Sequence, residues 1–439
     1  MNARVLTMLM RPAPGQSAVL ALPAIAFALV TALLLTVVGG AQAFWSWTDP
    51  DAAIYQALAA IALVLLVVPL ATLGGAAARL SARRRDERLS TLRLLGVSPA
   101  GVVTATVLES TVVAAAGALA GVLGYLTLAP LIALIPFRGE ALGLSAVILP
   151  PLSILAVIAG VILLAVVSAA IGLRRVVISP LGVRTRTDVP RVHWSRAVLA
   201  VAVVVGAFGV VQVFPGTAGL VITIIVLAGI FAIALAVLNL IGPWALKVHA
   251  NQNLRRAEKP ERLLAARFVL ESPKAAWRQV SGIAMASFMA VFAGTGVATL
   301  DTMSGAESEA NMLLAADIRT GLIITLVASF VMVAISVGVN QASGILDQRE
   351  LHRSLHFLGV PLETVDAART RAIMAPLLLT AIGSALCAVV LVFPLVGIAL
   401  VVAPLSILTI VAVIGIGIAL VWSGVRITRP LLGRAFQPA

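Results

Sequence analysis

Long apolar runs alternate with short polar segments along the whole chain. An α-helix needs about 20 predominantly apolar residues to cross the hydrocarbon core of a bilayer, and runs of about this length recur ten times. They predict membrane-spanning helices at residues 18–39, 55–80, 102–130, 152–173, 197–213, 218–240, 280–300, 322–345, 372–393 and 398–425. Tight turns rich in proline and glycine are predicted between the fifth and sixth spans (FPGT) and between the ninth and tenth (PLVG).

The composition agrees with this pattern. Hydrophobic residues make up 61% of the 439 residues and charged residues 11%, whereas a soluble domain carries about 25% charged residues. The fold class is therefore an all-α polytopic membrane protein with about ten transmembrane helices. The single cysteine, Cys387, lies in an apolar run, so an intrachain disulfide is excluded.

The basic residues are distributed unevenly between the two sides of the membrane. With a cytoplasmic N-terminus, Arg138 and Arg319 alone among the 31 Lys and Arg residues fall in outer segments, which are otherwise acidic. By the positive-inside rule, we expect a multi-pass protein of the cell membrane with both termini cytoplasmic. The formal charge of +13 then faces anionic membrane lipids. No nucleic-acid partner is expected, because the chain has no basic soluble domain.

An internal repeat divides the chain. The segment before the first span resembles the segment before the seventh, Gly96 pairs with Gly359, and GLRRVVISPLGVR after the fourth span resembles GVRITRPLLGR after the tenth. The predicted domains are a first four-helix unit at 1–190, a two-helix insert at 191–257 and a second four-helix unit at 258–439. Both units begin and end on the cytoplasmic side, so the repeats are parallel.

A charged amphipathic segment occurs once in each repeat. RRRDERLSTLRLLGVS (83–98) and QRELHRSLHFLGVP (348–361) each place leucines beside charged residues and stop at a glycine. Such a short helix cannot cross the membrane, so it lies on the membrane surface or docks on a partner. The corresponding residues of the two copies are Glu87, Leu92, Leu94 and Gly96 in the first, and Glu350, Leu355, Phe357 and Gly359 in the second.

The segment RRDERLSTLRLLGVSPAGVVTATVLESTVVAAAGALAGVLG, Arg84–Gly124, resembles the signature of FtsX-like, MacB-type ABC transporter permeases. The family's glutamate corresponds to Glu109, and its small-residue series to Gly117, Gly121 and Gly124. The second copy departs from the signature, because Ala372 occupies the position of Glu109. Two four-helix units around two further helices resemble the ten-span, bacitracin-type peptide-resistance permeases. Loops 40–54 and 301–321 are too short for the large extracellular domain of many relatives.

The resemblance implies that each amphipathic segment is a coupling helix, seated on one subunit of a homodimeric ABC ATPase, with two ATPase copies per permease chain. A phosphate-binding P-loop needs a Gly-Lys-Ser/Thr sequence, but Lys247, Lys259 and Lys274 follow Leu, Glu and Pro. We therefore expect a non-enzymatic subunit without a cofactor of its own, and ATP and Mg²⁺ on the partner ATPase.

Other candidate residues have less specific interpretations. Glu109, near a helix start, is expected to pair with Arg79, Arg83 or Arg371, or to act in coupling. Gly117, Gly121 and Gly124 are expected to serve close helix packing. His352 and His356 have the spacing of a metal pair but no nearby third ligand, so no metal site is expected. Residues 260–271 read as an interfacial elbow helix, with Leu263, Leu264, Phe268 and Val269 toward the membrane.

Two functions follow from this reading. The first is the permease of an ATP-driven transporter that exports or extracts an amphipathic, lipid-like or peptide substrate, which enters laterally from the bilayer. The alternative is an FtsX-like transmembrane signalling regulator of an extracellular partner; the short outer loops favour the transporter. An ATP-independent carrier is disfavoured, because the centres of the predicted spans lack the charged residues that ion coupling usually needs.

Overall fold

A computed structural model describes residues 17–49, 52–83, 99–178, 220–303, 309–347, 349–402 and 404–436, with isolated positions between 201 and 210. The chain divides into two compact units, Met1–Arg186 and Thr187–Ala439. Nine helices within the described ranges are long and apolar enough to cross a membrane, which confirms the all-α polytopic class. The predicted fifth span, 197–213, and the FPGT turn lie outside the continuously described residues.

Unit 1 is a bundle of four long helices with a small cap at one end. α1 packs along α3 and α2, and α5 packs against α3 and α2. A buried cluster at one end of the bundle centres on Tyr125, whose hydroxyl donates to the Val147 carbonyl and accepts from the Leu149 amide, both at 2.8 Å. The elements are α1 (Ser17–Gln42), a 3₁₀ turn (Ala43–Ser46), α2 (Ala52–Arg83), α3 (Pro99–Ala133), β1 (Pro136–Phe137), β2 (Glu140–Ala141), α4 (Leu144–Val147) and α5 (Pro151–Ile178).

Unit 2 is built around one enclosed helix, α8, which packs against α6, α9, α11, α12 and α13. The apolar, span-length segment of α8 is 67% buried inside the protein, compared with 11% for that of α13. The elements are α6 (Leu220–Arg255), α7 (Pro260–Glu271), α8 (Pro273–Met303), α9 (Glu309–Asp347), α10 (Arg349–Phe357), α11 (Leu362–Leu391), α12 (Phe393–Val402), α13 (Pro404–Ile427) and α14 (Arg429–Phe436).

The described helix of the predicted insert, α6, packs within unit 2. The Trp277 ring of α8 lies directly against Gly242, where a Cβ atom would collide with it, and its indole N–H donates to Asn239 Oδ1 at 2.7 Å. Farther along, the Phe231 ring of α6 packs against Phe288 and Phe292 with ring centroids 5.4 Å apart. The insert helix is therefore an integral wall of unit 2.

Two expectations about local structure were wrong. The PLVG sequence does not form a tight turn but lies inside α12, a helix of 10 residues that is too short to cross a bilayer. Pro394 occupies the first turn of this helix, where a missing N–H costs no hydrogen bond. In α7, Ala265, Ala266 and Val269 are buried, while Leu263 is exposed, so Val269 packs against protein and not against lipid.

Candidate functional site

The amphipathic segment of the second repeat folds as α10 and ends at Gly359. The Val360 N–H donates to the Leu355 carbonyl at 3.0 Å, and the Gly359 N–H donates to the His356 carbonyl at 2.9 Å. Gly359 has a φ of +76°, the left-handed conformation that glycine adopts without a Cβ penalty. These bonds and this φ form a Schellman motif, which satisfies the last carbonyls of the helix and fixes its direction of exit.

A hydrophobic contact completes the motif. Leu355 and Val360 pack against a buried cluster of Ile345, Val365 and Leu432. An apolar contact between these two motif positions commonly accompanies a Schellman ending. Leu355 therefore faces its own unit, and its predicted role in coupling stays a prediction.

The C-terminal end of α10 is apolar and exposed. Phe357 and Leu358 have 73% and 78% of their surfaces exposed. We call these two residues the docking tip. Large exposed apolar side chains at a defined position are typical of a surface that a membrane or a protein covers. Because the Leu355 contact and the Schellman motif lie on either side of Phe357 and Leu358, the docking tip is held in a fixed place.

The remaining coupling residues have less structural description. Glu350 lies in α10, but its side chain is outside the described set. The first-repeat residues Glu87, Leu92, Leu94 and Gly96 all fall in 84–98, outside the described residues. Their proposed roles remain predictions from the sequence.

Behind α10, charged residues join three helices. Arg369 of α11 donates from Nη1 to Thr428 Oγ1 at 2.8 Å, and from Nη2 to Asp366 Oδ1 at 3.1 Å and to the Val425 carbonyl at 3.3 Å. Arg429 Nε lies 3.4 Å from Asp366 Oδ2. We call Asp366, Arg369, Thr428 and Arg429 the arginine joint. Sequence reasoning did not find it, although charged residues next to a span were a signal.

Glu109 is half-buried on α3. Of its expected partners, Arg371 instead forms an ion pair with Glu261 of α7, with Nη1 and Oε1 3.1 Å apart. The side chains of Arg79 and Arg83 are outside the described set. The structure thus links Arg371 to the elbow helix, and the pairing of Glu109 stays a prediction.

The glycine series of α3 faces α1. A Cβ at Gly117 would lie 2.6 Å from the Ala24 carbonyl oxygen, and one at Gly121 would lie 2.6 Å from the Ala28 carbonyl oxygen. A Cβ at Gly124 would be 3.2 Å from the Ala32 Cβ. Small residues at this spacing let two helix backbones approach closely within a membrane. In unit 1 these glycines therefore lie at a helix interface.

Unit 1 also carries an aromatic cap around Arg138. The Arg138 guanidinium lies 4.1 Å from the Trp47 ring centroid and 4.5 Å from that of Tyr55. Phe44 packs edge-on against Trp47 and Phe137. Hydrogen bonding to the Asp49 carboxylate raises the pKa of Arg138, which is therefore always charged. Arg138 was notable in the sequence only as a rare basic residue of the outer segments.

The described residues contain no group of three or more His, Cys, Asp and Glu side chains that could hold a metal ion. His356 is exposed beside the docking tip, with its ring 6.3 Å from that of Phe357. The side chain of His352 is outside the described set.

Comparison with known families gives one match. Residues 75–181 match the family model for the FtsX-like permease C-terminal domain. The match takes in the end of α2, the amphipathic segment of the first repeat, and α3 to α5. No curated protein sequence matches the chain significantly. Together, this match and the apolar helices of both units support an FtsX-like permease of the ABC type.

Proposed function

We propose that this FtsX-like permease is the membrane subunit of an ATP-driven transporter in the cell membrane. A separate homodimeric ATPase binds on the cytoplasmic side, with one ATPase subunit at each amphipathic segment. ATP and Mg²⁺ are bound and hydrolysed by that partner, and the permease chain itself is not an enzyme. The transported substrate is amphipathic, lipid-like or peptidic, and it is exported or extracted from the bilayer.

The observation that carries the proposal is the docking tip. Phe357 and Leu358 are exposed at the C-terminal end of a short helix. Leu355, just before them, packs against its own unit, and Gly359, just after them, ends the helix in a Schellman motif. Buried aromatic and aliphatic anchors in partner pockets supply most of the binding free energy of protein interfaces. Burying one such side chain contributes roughly 1.5–3 kcal/mol. A preorganised anchor of this kind suits a partner that binds repeatedly and transmits movement.

The interior of the described spans supports an apolar route. Several hydroxyl groups within the described spans donate to carbonyls of their own helix, as with Thr31 to Phe27 (2.9 Å) and Thr295 to Val291 (2.6 Å). Ser384 likewise donates to Thr380 at 2.7 Å. A hydroxyl proton used in this way is not available to a polar substrate. Lateral entry of an amphipathic substrate from the bilayer is the route that such walls favour.

The second candidate function is a transmembrane regulator that controls an extracellular partner through ATP-driven movement. The aromatic cap of unit 1 favours it, because Trp45 is exposed beside the ordered Phe44 and Trp47 rings. Interface aromatic residues of this kind also anchor proteins in lipid headgroups. The cap alone therefore does not favour the regulator over the transporter.

Co-purification tests the proposed assembly. The tagged chain is extracted from native membranes into nanodiscs, and its partners and their stoichiometry are measured by native mass spectrometry. We expect two ATPase subunits per permease chain, and loss of the ATPase from the double variant Leu94→Asp with Phe357→Asp. Leu263→Asp, at an exposed leucine of α7, is the control and should retain the ATPase. Unchanged co-purification of the double variant would assign both segments to the lipid surface.

Reconstitution distinguishes the two functions. In proteoliposomes containing the purified complex, ATP should drive the movement of a fluorescent lysolipid or of an amphipathic cationic peptide. ATP-stimulated movement of a freely soluble charged solute would contradict the substrate class. ATP hydrolysis without movement of either probe would favour the regulator.

A further inference from the structure

We infer that Arg369 is a positioning residue that makes α10 and the corner between α13 and α14 move as one piece. The inference rests on the proposed function, because it concerns the response of the permease to its ATPase. It adds a mechanical role for the arginine joint, which lies behind the docking tip.

The contacts of Arg369 reach the end of a different span. Its guanidinium binds the Thr428 hydroxyl and the Val425 carbonyl, both at the C-terminal end of α13. Carbonyl groups at a helix C-terminus carry partial negative charge and favour a cation. The same guanidinium binds Asp366, one turn away on α11. Arg369 thus fastens the first turns of α11 to the last turn of α13.

Two further contacts tie α14 to the same place. Arg429, the first residue of α14, binds the second oxygen of Asp366. Leu432 of α14 is fully buried in the cluster that also receives Leu355 and Val360. A displacement of α10 therefore reaches α14 through apolar packing and α13 through the guanidinium.

Stability alone does not account for a buried arginine at this position. Arg369 is 8% exposed, and its Nε has no hydrogen-bond partner among the described groups. Removing a guanidinium from water is costly, and a buried ion pair is often no more stabilising than well-packed apolar residues. Asp366 lies on the same helix as Arg369, so the bonds that fix the register between α11 and α13 are those from Arg369 to the Thr428 hydroxyl and the Val425 carbonyl. A fixed register between α11 and α13 is what a rigid transmission requires.

The sequence limits this device to one repeat. In the register that pairs Gly96 with Gly359, Val103 and Thr106 occupy the positions of Asp366 and Arg369. Neither residue carries a charge, so the first repeat cannot form the same ion-paired joint. Movement of α10 is therefore transmitted by a connection that the amphipathic segment of the first repeat lacks.

The decisive comparison is Arg369→Gln with Arg371→Gln. Arg371 lies two residues away on α11, is exposed, and pairs only with the elbow helix among its described contacts. Arg369→Lys and Thr428→Val complete the set; the lysine keeps the charge, and the valine removes the partner hydroxyl. Thr428→Val leaves the buried charge paired with Asp366, so it remains informative if Arg369→Gln fails to fold.

Two readouts are measured on the full chain in nanodiscs with its co-purified ATPase. Spin labels at the exposed positions Met312 of α9 and Leu408 of α13, in a Cys387→Ser background, report the distance change when ATP and vanadate are added. Hydrogen exchange reports the amides of α10 and α14. For Arg369→Gln we expect ATPase binding and hydrolysis to persist, the distance change to disappear, and exchange of both short helices to rise together by about tenfold. Thr428→Val should reproduce these effects in weaker form, Arg369→Lys should partly restore the distance change, and Arg371→Gln should behave as the wild type.

Two outcomes would overturn the inference: a normal distance change in Arg369→Gln, or unchanged exchange of α10 in that variant. Absence of any ATPase on the wild-type chain would instead contradict the proposed function. The exchange measurement needs no partner, so it tests the joint even in that case.

Discussion

Arg138 binds the carboxylate of Asp49 through two nitrogens, with Nη1 and Oδ2 2.6 Å apart and Nη2 and Oδ1 2.9 Å apart. Arg138 also has a φ of +54°, and Gly139 follows with +80°. Two successive positive φ values form the tight turn that suits a two-residue β-hairpin loop. The ion pair and the rings of Trp47 and Tyr55 therefore hold a non-glycine residue in a backbone conformation that it seldom adopts.

At Arg138, the side-chain contacts stabilise unit 1, whereas the strained backbone conformation destabilises it. Asp49→Ala should lower the stability of unit 1 by about 1 kcal/mol, because the exposed pair is lost while the strained backbone stays. Arg138→Ala and Arg138→Gly both lose the pair and the contacts with the Trp47 and Tyr55 rings, but only glycine relieves the strain, so the loss in Arg138→Gly should be the smaller of these two. Thermal unfolding in nanodiscs measures all three variants. An equal loss in Arg138→Ala and Arg138→Gly would mean that the turn stores no strain.

The close packing of α3 on α1 predicts that the loss of stability on replacing a glycine with alanine depends strongly on which glycine is replaced. Gly121→Ala would place a Cβ against the Ala28 carbonyl and the Thr31 Cβ, each at 2.6 Å, which should cost about 1–3 kcal/mol as α1 and α3 move apart. Gly160→Ala on α5 is the control, because nothing lies within 4 Å of its Cβ. That alanine should be neutral or stabilising. Equal melting temperatures of the two variants would contradict close α1–α3 packing.

The contact between α6 and α8 predicts a coupled pair. Gly242→Ala should displace the Trp277 ring at a cost of about 1–3 kcal/mol, whereas Gly229→Ala on the same helix meets open space. In a Trp277→Ala background, Gly242→Ala should become nearly neutral, because the ring that it would displace is absent. A double-mutant cycle on apparent melting temperature measures this coupling. Additive effects would place the two residues out of contact.

The end of α10 predicts a separation of stability from partner binding. Leu355→Ala should lower stability by about 1–2 kcal/mol, because half-buried contacts with its cluster are lost. Phe357→Ala should change stability by less than about 0.5 kcal/mol, since its side chain is exposed, but it should weaken ATPase binding. Unfolding and co-purification are measured on the same preparations. Unchanged ATPase binding in both variants would show that the docking tip is not part of the ATPase interface.

Gly359 predicts a backbone effect at the same place. Gly359→Ala should cost about 1 kcal/mol, because alanine resists a φ of +76°, and should weaken ATPase binding by redirecting the tip. Gly359→Asn should be milder, because asparagine tolerates this conformation. Gly433→Ala on α14, which meets nothing within 4 Å, is the control. Wild-type behaviour of Gly359→Ala would show that the exit direction of α10 is unimportant.

Much of the membrane architecture could be predicted from hydropathy, because a bilayer of fixed thickness requires apolar runs of a characteristic length. The ends of the helices could not. Residues 322–345 were predicted as a span, whereas α9 runs from Glu309 to Asp347, since hydropathy does not register helical turns that extend beyond the hydrocarbon. PLVG was misread because proline fits the first turn of a helix as well as a turn between helices.

The candidate site was predicted in part. The leucine and glycine spacing located α10 and its end, because a glycine after an amphipathic helix is a recognisable stop signal. The spacing could not show that Leu355 faces inward, since the inward face depends on Val365 and Leu432 from other helices. The partner of Arg369 was equally hidden, because Thr428 is 59 positions away in the chain.

The contact between Trp277 and Gly242 sets where this chain could be divided between two genes. A break between residues 186 and 187 leaves each compact unit on its own polypeptide. A break after residue 257, at the border of the second four-helix repeat, would leave the Trp277 ring and the glycine beneath it on different polypeptides. Where this architecture is encoded as two half-length permeases, the insert is therefore expected to be translated together with the second half.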